Sequence, residues 1–244
     1  MKLNVNSNSL FNNSIIQYSI IFLFIINSAM SQPTSTIRLA WKEIFIEQSE
    51  IMYQSNTITA ENFKKDWDIK SGEWKVEDGW MTGKNPENMP GMVVSKGDYF
   101  GNVMIEFEAR NVLPSTHDID VMWNGTWDDK LNKRGIAYVA GVQGWWEGKV
   151  GIEKSPEYKF LSATQIFKYE PGKIYKIIAG SIDGHCFIVV DGKIVLETTD
   201  LDPIDVSKNG KVGFEAYASW IQVRNVKVRK INWKPLNLRY EKQF

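Results

Sequence analysis

The sequence predicts an all-β protein, a jelly-roll β-sandwich built from two antiparallel sheets. Short strand-like segments are separated by dipeptides that favour tight hairpin turns, such as Asp78-Gly79, Asp183-Gly184 and Asp191-Gly192. In residues 103–110, Val103, Ile105, Phe107 and Ala109 face one way and Met104, Glu106, Glu108 and Arg110 face the other, which is typical of a half-buried antiparallel strand. Because no stretch keeps a 3.6-residue period over several turns, this many strands must pack as two sheets or close into a barrel.

The predicted strands are rich in β-branched and aromatic residues and end at turn-forming residues. One helical turn is expected at residues 61–68, and the tail at residues 234–244 is expected to be peripheral. The strands are expected at residues 42–47, 74–77, 91–94, 103–112, 117–124, 135–142, 149–153, 175–182, 185–190, 193–198, 211–217 and 220–230.

The first 31 residues have the features of a secretory signal peptide. An apolar run at residues 15–26 follows Lys2, and Ala29-Met30-Ser31 fits a small-x-small cleavage site. The run is too short to span a bilayer, which takes about 20 apolar residues. We therefore expect a secreted or periplasmic protein in which residues 32–244 form a single β-sandwich domain.

Charge and cysteine content exclude several classes of partner. Without residues 1–31, which contain only one charged side chain, Lys2, the chain has 28 basic and 29 acidic side chains and a formal net charge of −1. This balance argues against nucleic acid and, after signal cleavage, against an anionic membrane as the main partner. Cys186 is the only cysteine, so disulfides and cysteine-based metal sites are excluded, and we expect a monomer held together by its core.

Residues 117–125 (HDIDVMWNG) form the most informative strand. Successive side chains on a strand point to opposite faces, so Asp118, Asp120 and Met122 share one face, and Ile119, Val121 and Trp123 share the other. The apolar face is explained by a core. Two carboxylates on the other face repel each other unless a polar or cationic group lies beside them, which makes this face a candidate functional surface.

Three other segments, taken together, resemble the concanavalin-A-like lectin and glucanase superfamily. Residues 175–197 (YKIIAGSIDGHCFIVVDGKIVLE) resemble its late hairpin, and residues 210–230 (GKVGFEAYASWIQVRNVKVRK) its closing strands. Residues 74–83 (WKVEDGWMTG) resemble an early hairpin. The resemblance implies a lectin-like sandwich. The resemblance also makes Asp128-Asp129 a candidate site for a structural calcium ion, although no complete calcium-binding loop is present. No other cofactor or metal is expected.

Within this superfamily, the strand at residues 117–125 resembles the catalytic strand of laminarinase-type glycosidases, which reads Glu-x-Asp-x-Glu. The matching positions are Asp118, Asp120 and Met122. Methionine cannot donate a proton, and aspartate is one methylene shorter than the expected nucleophile. A hydrolase of the laminarinase type is therefore rejected, because retaining hydrolysis needs two correctly spaced carboxyl groups.

Other residues in this part of the chain supply alternative chemistry. His117 and Tyr138 are candidate proton-transfer residues, and Arg134 and Lys149 are candidate clamps for a substrate carboxylate. Trp145 and Trp146 lie in a Gly-flanked loop, where an aromatic face can stack on a sugar ring. Together with Asp118 and Asp120, these six residues form the predicted site for an oligosaccharide or polysaccharide.

Three functions remain open on this evidence from sequence. In size, signal peptide and strand pattern, the chain resembles the small oligosaccharide dehydratases of ulvan-degradation loci, which implies a lyase that eliminates water from a uronate-containing oligosaccharide. The alternatives are a non-catalytic, lectin-like carbohydrate-binding module and a hydrolase of the keto-disaccharide type.

Overall fold

The computed structural model describes residues 35–144, 148–165 and 167–236. Its strands are β1 (Thr36–Arg38), β2 (Lys42–Phe45), β3 (Glu50–Ser55), β4 (Trp67–Ile69), β5 (Glu73–Glu77), β6 (Trp80–Ser95), β7 (Val103–Asn111), β8 (Ile119–Gly125), β9 (Trp127–Asp128), β10 (Lys133–Arg134), β11 (Ala137–Gly144), β12 (Lys149–Ser155), β13 (Lys159–Thr164), β14 (Tyr175–Ile182), β15 (His185–Val190), β16 (Lys193–Thr199), β17 (Lys211–Lys230) and β18 (Trp233–Pro235).

Helical structure is confined to two short segments of this described part. A 3₁₀ turn covers Ile46–Gln48, and α1 covers Ala60–Asp66, close to the predicted helical turn. Thr59 and Asn62 form a reciprocal capping box that satisfies backbone N–H groups at the start of α1. Among the residues described, neither helical segment has the length and apolar character that crossing a membrane requires.

Two antiparallel sheets form the predicted sandwich. The first, which we call the cleft sheet, has the order β13-β12-β11-β8, followed by the first half of β17, the second half of β6, and β4. The second, the opposite sheet, has the order β16-β15-β14-β7, followed by the second half of β17, which pairs with β3 and with the first half of β6; β5 pairs with that part of β6 on its other side. The fold class predicted from the sequence is therefore confirmed.

Strands β6 and β17 belong to both sheets, and β6 begins well before the predicted strand at residues 91–94. Strand β17 runs without interruption for 20 residues, where two separate strands were predicted. Its register with β6 shifts between Tyr217 and Ser219, and the intervening Ala218 has a φ of +49°. This bulge allows one strand to leave the cleft sheet and continue into the opposite sheet.

The core fills the space between the two sheets. Trp123, Phe214 and Val142 project into it from the cleft sheet, and Phe107 and Ile188 project from the opposite sheet. A further three-stranded sheet, β1-β2-β18, carries apolar side chains that pack on the outer face of the opposite sheet. The outer face of the opposite sheet is thus partly covered, whereas the outer face of the cleft sheet carries the site described next.

Candidate active site

Strand β8 separates its side chains as the sequence predicts. Ile119, Val121 and Trp123 join the main core, and the Trp123 indole N–H donates a hydrogen bond to Ser181 Oγ at 3.0 Å. Asp120 and Met122 point to the outer face of the cleft sheet, where Met122 packs in a small apolar cluster with Met92 and Val139. The third position of the glucanase-like pattern therefore contributes packing and no acid.

A cleft of about 910 Å³ opens above this face. That volume suits a ligand of several hundred daltons, because small-molecule sites typically measure about 300–1,000 Å³. The lining side chains are mostly charged, polar or aromatic. They are Thr116, His117, Asp118, Asp120, Arg134, Gln143, Glu153, Tyr158, Phe160, Glu215 and Tyr217, joined by Met89, Pro90, Gly144, Gly148 and Ala218.

Four buried carboxyl groups converge at the base of the cleft. Asp118 immediately precedes β8, and Asp120 lies within it. Glu215 on β17 is the direct cross-strand partner of Asp120, and Glu153 comes from β12. The register places Gly141 beside Asp120 on the other side, and Met92 beside Glu215, so the two acids are neighbours between a glycine and a methionine.

Arg134 binds two of these carboxylates and has little capacity left for a ligand. Its Nη2 donates to Glu153 Oε1 at 2.8 Å, its Nη1 donates to Glu215 Oε2, and its Nε donates to Ser155 Oγ at 2.9 Å. The Tyr158 ring lies 5.3 Å from the guanidinium carbon and covers one face. Arg134 is therefore in the cleft as predicted, but its contacts with Glu153, Glu215 and Ser155 disfavour the predicted role as a clamp for a substrate carboxylate.

Burial and mutual repulsion favour the neutral form of the remaining pair of acids. Burial raises the pKa of Asp118 to about 7, and the negative charge of Glu215 contributes to this rise. The pKa of Asp120 is raised further, first by burial and then by repulsion from Asp118 and Glu215. Both carboxyl groups lie against Gly144, and their repulsion and burial favour keeping a proton on the pair near neutral pH.

Backbone strain is concentrated around the same cleft. Asp118, Gln143, Tyr158 and Ala218 have φ angles of +66°, +61°, +54° and +49°, and all four line the cleft. Elsewhere in the described ranges, the non-glycine residues with positive φ are all Asn or Asp, which tolerate this conformation best. Left-handed backbone at Gln, Tyr and Ala is uncommon, and such strain is typical of functional sites.

The rim of the cleft offers polar and aromatic contacts to a ligand. His117 is exposed and lies at the mouth of the cleft, next to Asp118 in the chain. Tyr158 is 56% exposed although one side of its ring faces Arg134. Phe160 and Tyr217 add two further aromatic rings to the lining. Aromatic surfaces of this kind stack on the C–H faces of sugar rings.

Tyr138 lies outside the cleft, and its prediction as a catalytic residue is wrong. Its side chain points into the core, where it is 0% exposed and packs beside Trp123 at 5.7 Å between ring centroids. The hydroxyl donates to Asp200 Oδ2 at 3.0 Å and accepts from the Ile204 N–H at 3.1 Å. The residue sits on the core-facing side of β11, which the alternation of strand side chains makes inaccessible to the cleft.

The remaining predicted residues have different outcomes. Lys149 begins β12 and is half-buried, but it is not among the lining side chains of the cleft. Trp145 and Trp146 lie outside the described residues.

At the candidate calcium site, Asp128 Oδ1 accepts hydrogen bonds from the backbone N–H groups of Lys130 and Leu131, and Asp129 forms an ion pair with Lys70 at 3.0 Å. Within residues 35–144, 148–165 and 167–236, no cluster of three or more His, Cys, Asp or Glu side chains is arranged to hold a metal ion.

Glu215 is the residue that the sequence analysis missed. It occupies the outward position between the core-facing Phe214 and Ala216, within an otherwise apolar segment of β17. A single carboxylate in an otherwise apolar strand segment indicates a functional position, and this pattern was visible in the sequence. Glu153 was also absent from the predicted site, because its ion pair with Arg134 depends on tertiary structure.

Comparison with solved structures supports the fold. A protein of unknown function with a galectin-like fold from Bacillus subtilis matches with a TM-score of 0.60 and 14% identity, covering 75% of this chain and 96% of that one. The carbohydrate-binding module CBM66 from Bacillus subtilis matches at 0.55 and 14% identity, covering 67% and 94%. The metal-free carbohydrate recognition domain of Emp46p matches at 0.54 and 13% identity, covering 72% and 95%. No family model and no curated protein matches the sequence.

Proposed function

We propose that this protein is a carbohydrate-active enzyme in which His117 and Asp118 transfer protons to and from an oligosaccharide that Asp120 helps to bind in the cleft. Two of the matched structures are described as carbohydrate-binding, which supports a saccharide ligand. The volume of the cleft, its aromatic rim and its many hydrogen-bonding groups suit a short oligosaccharide.

The observation that carries this proposal is the pair of buried carboxyl groups, Asp118 and Asp120, at the base of an open cleft. A side chain works best as a general acid or base when its pKa lies near the working pH, and the pKa of Asp118 is raised to about 7. Oδ1 of Asp120 is buried and has no hydrogen-bond partner in the part of the chain that the structure describes. A sugar hydroxyl would satisfy this oxygen.

Elimination of water is the reaction that we propose, as expected from the sequence. A base removes a C–H proton of the sugar, its electrons form a carbon–carbon double bond, and the adjacent hydroxyl leaves as water after receiving a proton. His117, at the mouth of the cleft, would act as the base, and Asp118 would act as the acid. Met122 occupies the third position of the laminarinase-type catalytic strand and packs in an apolar cluster, so no acid is present there. This absence favours elimination over laminarinase-type hydrolysis.

The substrate that we propose is a uronate-containing oligosaccharide of the ulvan type. Since Arg134 is held by Glu153 and Glu215, the uronate carboxylate would be recognised in another way. The neutral carboxyl group of Asp120 can donate a hydrogen bond to it, as a buried carboxylic acid with a raised pKa does. With its predicted signal peptide, the enzyme would act as a secreted or periplasmic protein during polysaccharide degradation.

Hydrolysis of an uncharged saccharide is the second candidate, and Glu215 is the observation that favours it. Because Glu215 lies opposite Asp120, the cleft contains more than one carboxyl group for an acid–nucleophile or acid–base pair. A hydrolase of the keto-disaccharide type would use this arrangement. A neutral substrate would also avoid repulsion from the acids at the base of the cleft.

Incubation with a panel of uronate-containing and neutral oligosaccharides, followed by mass spectrometry, separates these functions. Elimination lowers the mass of an oligosaccharide by about 18 Da, and hydrolysis gives smaller sugars whose summed mass is about 18 Da higher, since each transfers one water molecule. A lectin-like module would bind without any change in mass. Asp118→Asn should abolish either reaction, whereas the matched control Asp129→Asn, in a surface ion pair outside the cleft, should not.

A further inference from the structure

Glu215 and Asp120 face each other in a position where two acids are normally avoided. They are direct partners in the antiparallel pairing of β17 with β8, so their Cβ atoms lie about 4.5–5.5 Å apart. Each residue is only 4% exposed. Like charges in directly opposed positions destabilise a sheet, and water cannot screen this pair effectively.

Burial and the charge of Glu153 raise the pKa of Glu215, and the ion pair with Arg134 opposes this rise and favours the ionised form. Its guanidinium bridges Glu215 and Glu153, so one positive charge is shared between two carboxylates and the bridge has a formal charge of −1. Ser155 and the ring of Tyr158 hold the guanidinium from two further directions. The negative charge of Glu215 therefore stays beside Asp120 and cannot rotate into solvent.

Few other ionisable groups of the described residues face the Asp118–Asp120 pair. His117 precedes Asp118 at the mouth of the cleft, Tyr217 follows Glu215 on β17, and Tyr158 lies above Arg134. Burial and the negative charges of Asp118 and Glu215 raise the pKa of the Tyr217 phenol, which keeps it neutral. Among the described residues that line the cleft, Arg134 is the only lysine or arginine. It already forms ion pairs with Glu153 and Glu215.

We infer that Glu215 is a positioning residue that keeps a proton on the Asp118–Asp120 pair. Repulsion between Glu215 and an ionised Asp120 makes loss of a proton from the pair unfavourable, so the cleft retains an acid in neutral solution. The inference deepens the proposed function, because it identifies which residue keeps the acid loaded for delivery to the saccharide. Glu215 itself stays bound to Arg134 and does not touch the ligand.

The inference is tested by titrating the side-chain carboxyl carbons of ¹³C-labelled aspartate by NMR in the intact protein. Glu215→Gln keeps the shape of the side chain and removes its charge. We expect the resonances of Asp118 and Asp120, assigned with Asp118→Asn and Asp120→Asn, to titrate about one pH unit lower or more. Glu106→Gln, which breaks a comparable ion pair with Arg229 in the opposite sheet, is the matched control and should leave them in place.

An unchanged or higher titration midpoint in Glu215→Gln would overturn the inference. Glu153→Gln provides a second test if the first variant does not fold, and it should shift the midpoint in the same direction by less, because the repulsion by Glu215 is the larger of the two on Asp118. The titration needs no substrate, so it can succeed even if the proposed reaction is absent. When activity is present, the alkaline limb of the kcat profile should move to lower pH in Glu215→Gln, with KM little changed.

Discussion

Oδ1 of Asp118 lies directly over the α-carbon of Gly144. A Cβ atom at residue 144 would come within 2.6 Å of this oxygen and 3.7 Å of Oδ1 of Asp120. The first distance is too short for a nonbonded contact. Glycine at the end of β11 therefore lets the carboxyl pair lie against the neighbouring strand, and the placement of the proposed acid depends on a missing side chain.

Gly144→Ala should displace the Asp118 carboxyl group and lower kcat by tenfold or more, because a shift of about 1 Å in a catalytic group costs roughly 100-fold in rate. Far-UV circular dichroism should remain that of the parent protein. Gly97→Ala is the matched control, since its Cβ would meet only the flexible side chain of Tyr99 at 3.2 Å. Equal activity of the two variants would exclude a precise role for Asp118.

Stability should depend on pH through Asp118. An aspartate in an unfolded chain titrates near pH 3.9, and the folded pKa is about 7, so the folded state binds this proton more tightly. The resulting stabilisation is complete below about pH 4 and is lost as the pH rises through 7. Asp118→Asn removes this dependence. Urea denaturation should show that the variant gains on the parent protein between pH 4 and 7, by at most about 1.4 kcal/mol per pH unit. A constant difference across that range would contradict the raised pKa.

Ala218→Gly should stabilise the protein, because alanine with a φ of +49° is strained and glycine is not. We expect a gain of up to about 1 kcal/mol after the extra chain entropy of unfolded glycine is subtracted. Ala216→Gly, two residues earlier and buried in the core, should instead destabilise the protein. Urea denaturation of both variants measures the contrast, and destabilisation by Ala218→Gly would show that the strain is absent.

Tyr138→Phe should change stability and leave catalysis intact. Removing the hydroxyl leaves Asp200 and the Ile204 N–H each without one hydrogen-bond partner, at a cost of about 1–3 kcal/mol. Below the unfolding temperature, kcat should stay within about twofold of the parent value, since the residue lies on the core side of β11. A loss of kcat without a loss of stability would return Tyr138 to the catalytic machinery.

The sequence predicted the fold well because strand alternation and hairpin turns are local properties. The opposed faces of β8 followed directly from its two-residue period, and the acids at residues 118 and 120 are in the cleft. The same rule applied to β11 would have placed Tyr138 in the core, because it shares a face with Ala140 and Val142. Tyr138 was instead predicted to be catalytic because a tyrosine hydroxyl can transfer protons.

The partners of Arg134 could not be predicted in the same way. Glu215 on β17 is 81 residues away from Arg134 on β10, and only the tertiary fold brings the two side chains together. An arginine near a predicted sugar site suggests a clamp for a ligand carboxylate. In the structure, however, Arg134 forms ion pairs with two buried carboxylates, Glu153 and Glu215. Pairing between distant strands, which local sequence does not encode, therefore determined the electrostatics of the site.

The most direct test of the central claim compares binding and turnover in Asp118→Asn. Oligosaccharides that the parent protein converts should bind to the variant with a Kd within about threefold, measured by isothermal titration calorimetry. Turnover followed by mass spectrometry should fall by about 100-fold to 10,000-fold, the usual contribution of a general acid or base. A variant that still converts its substrate at the parent rate would contradict the account. A parent protein that binds saccharides and never changes their mass would do the same.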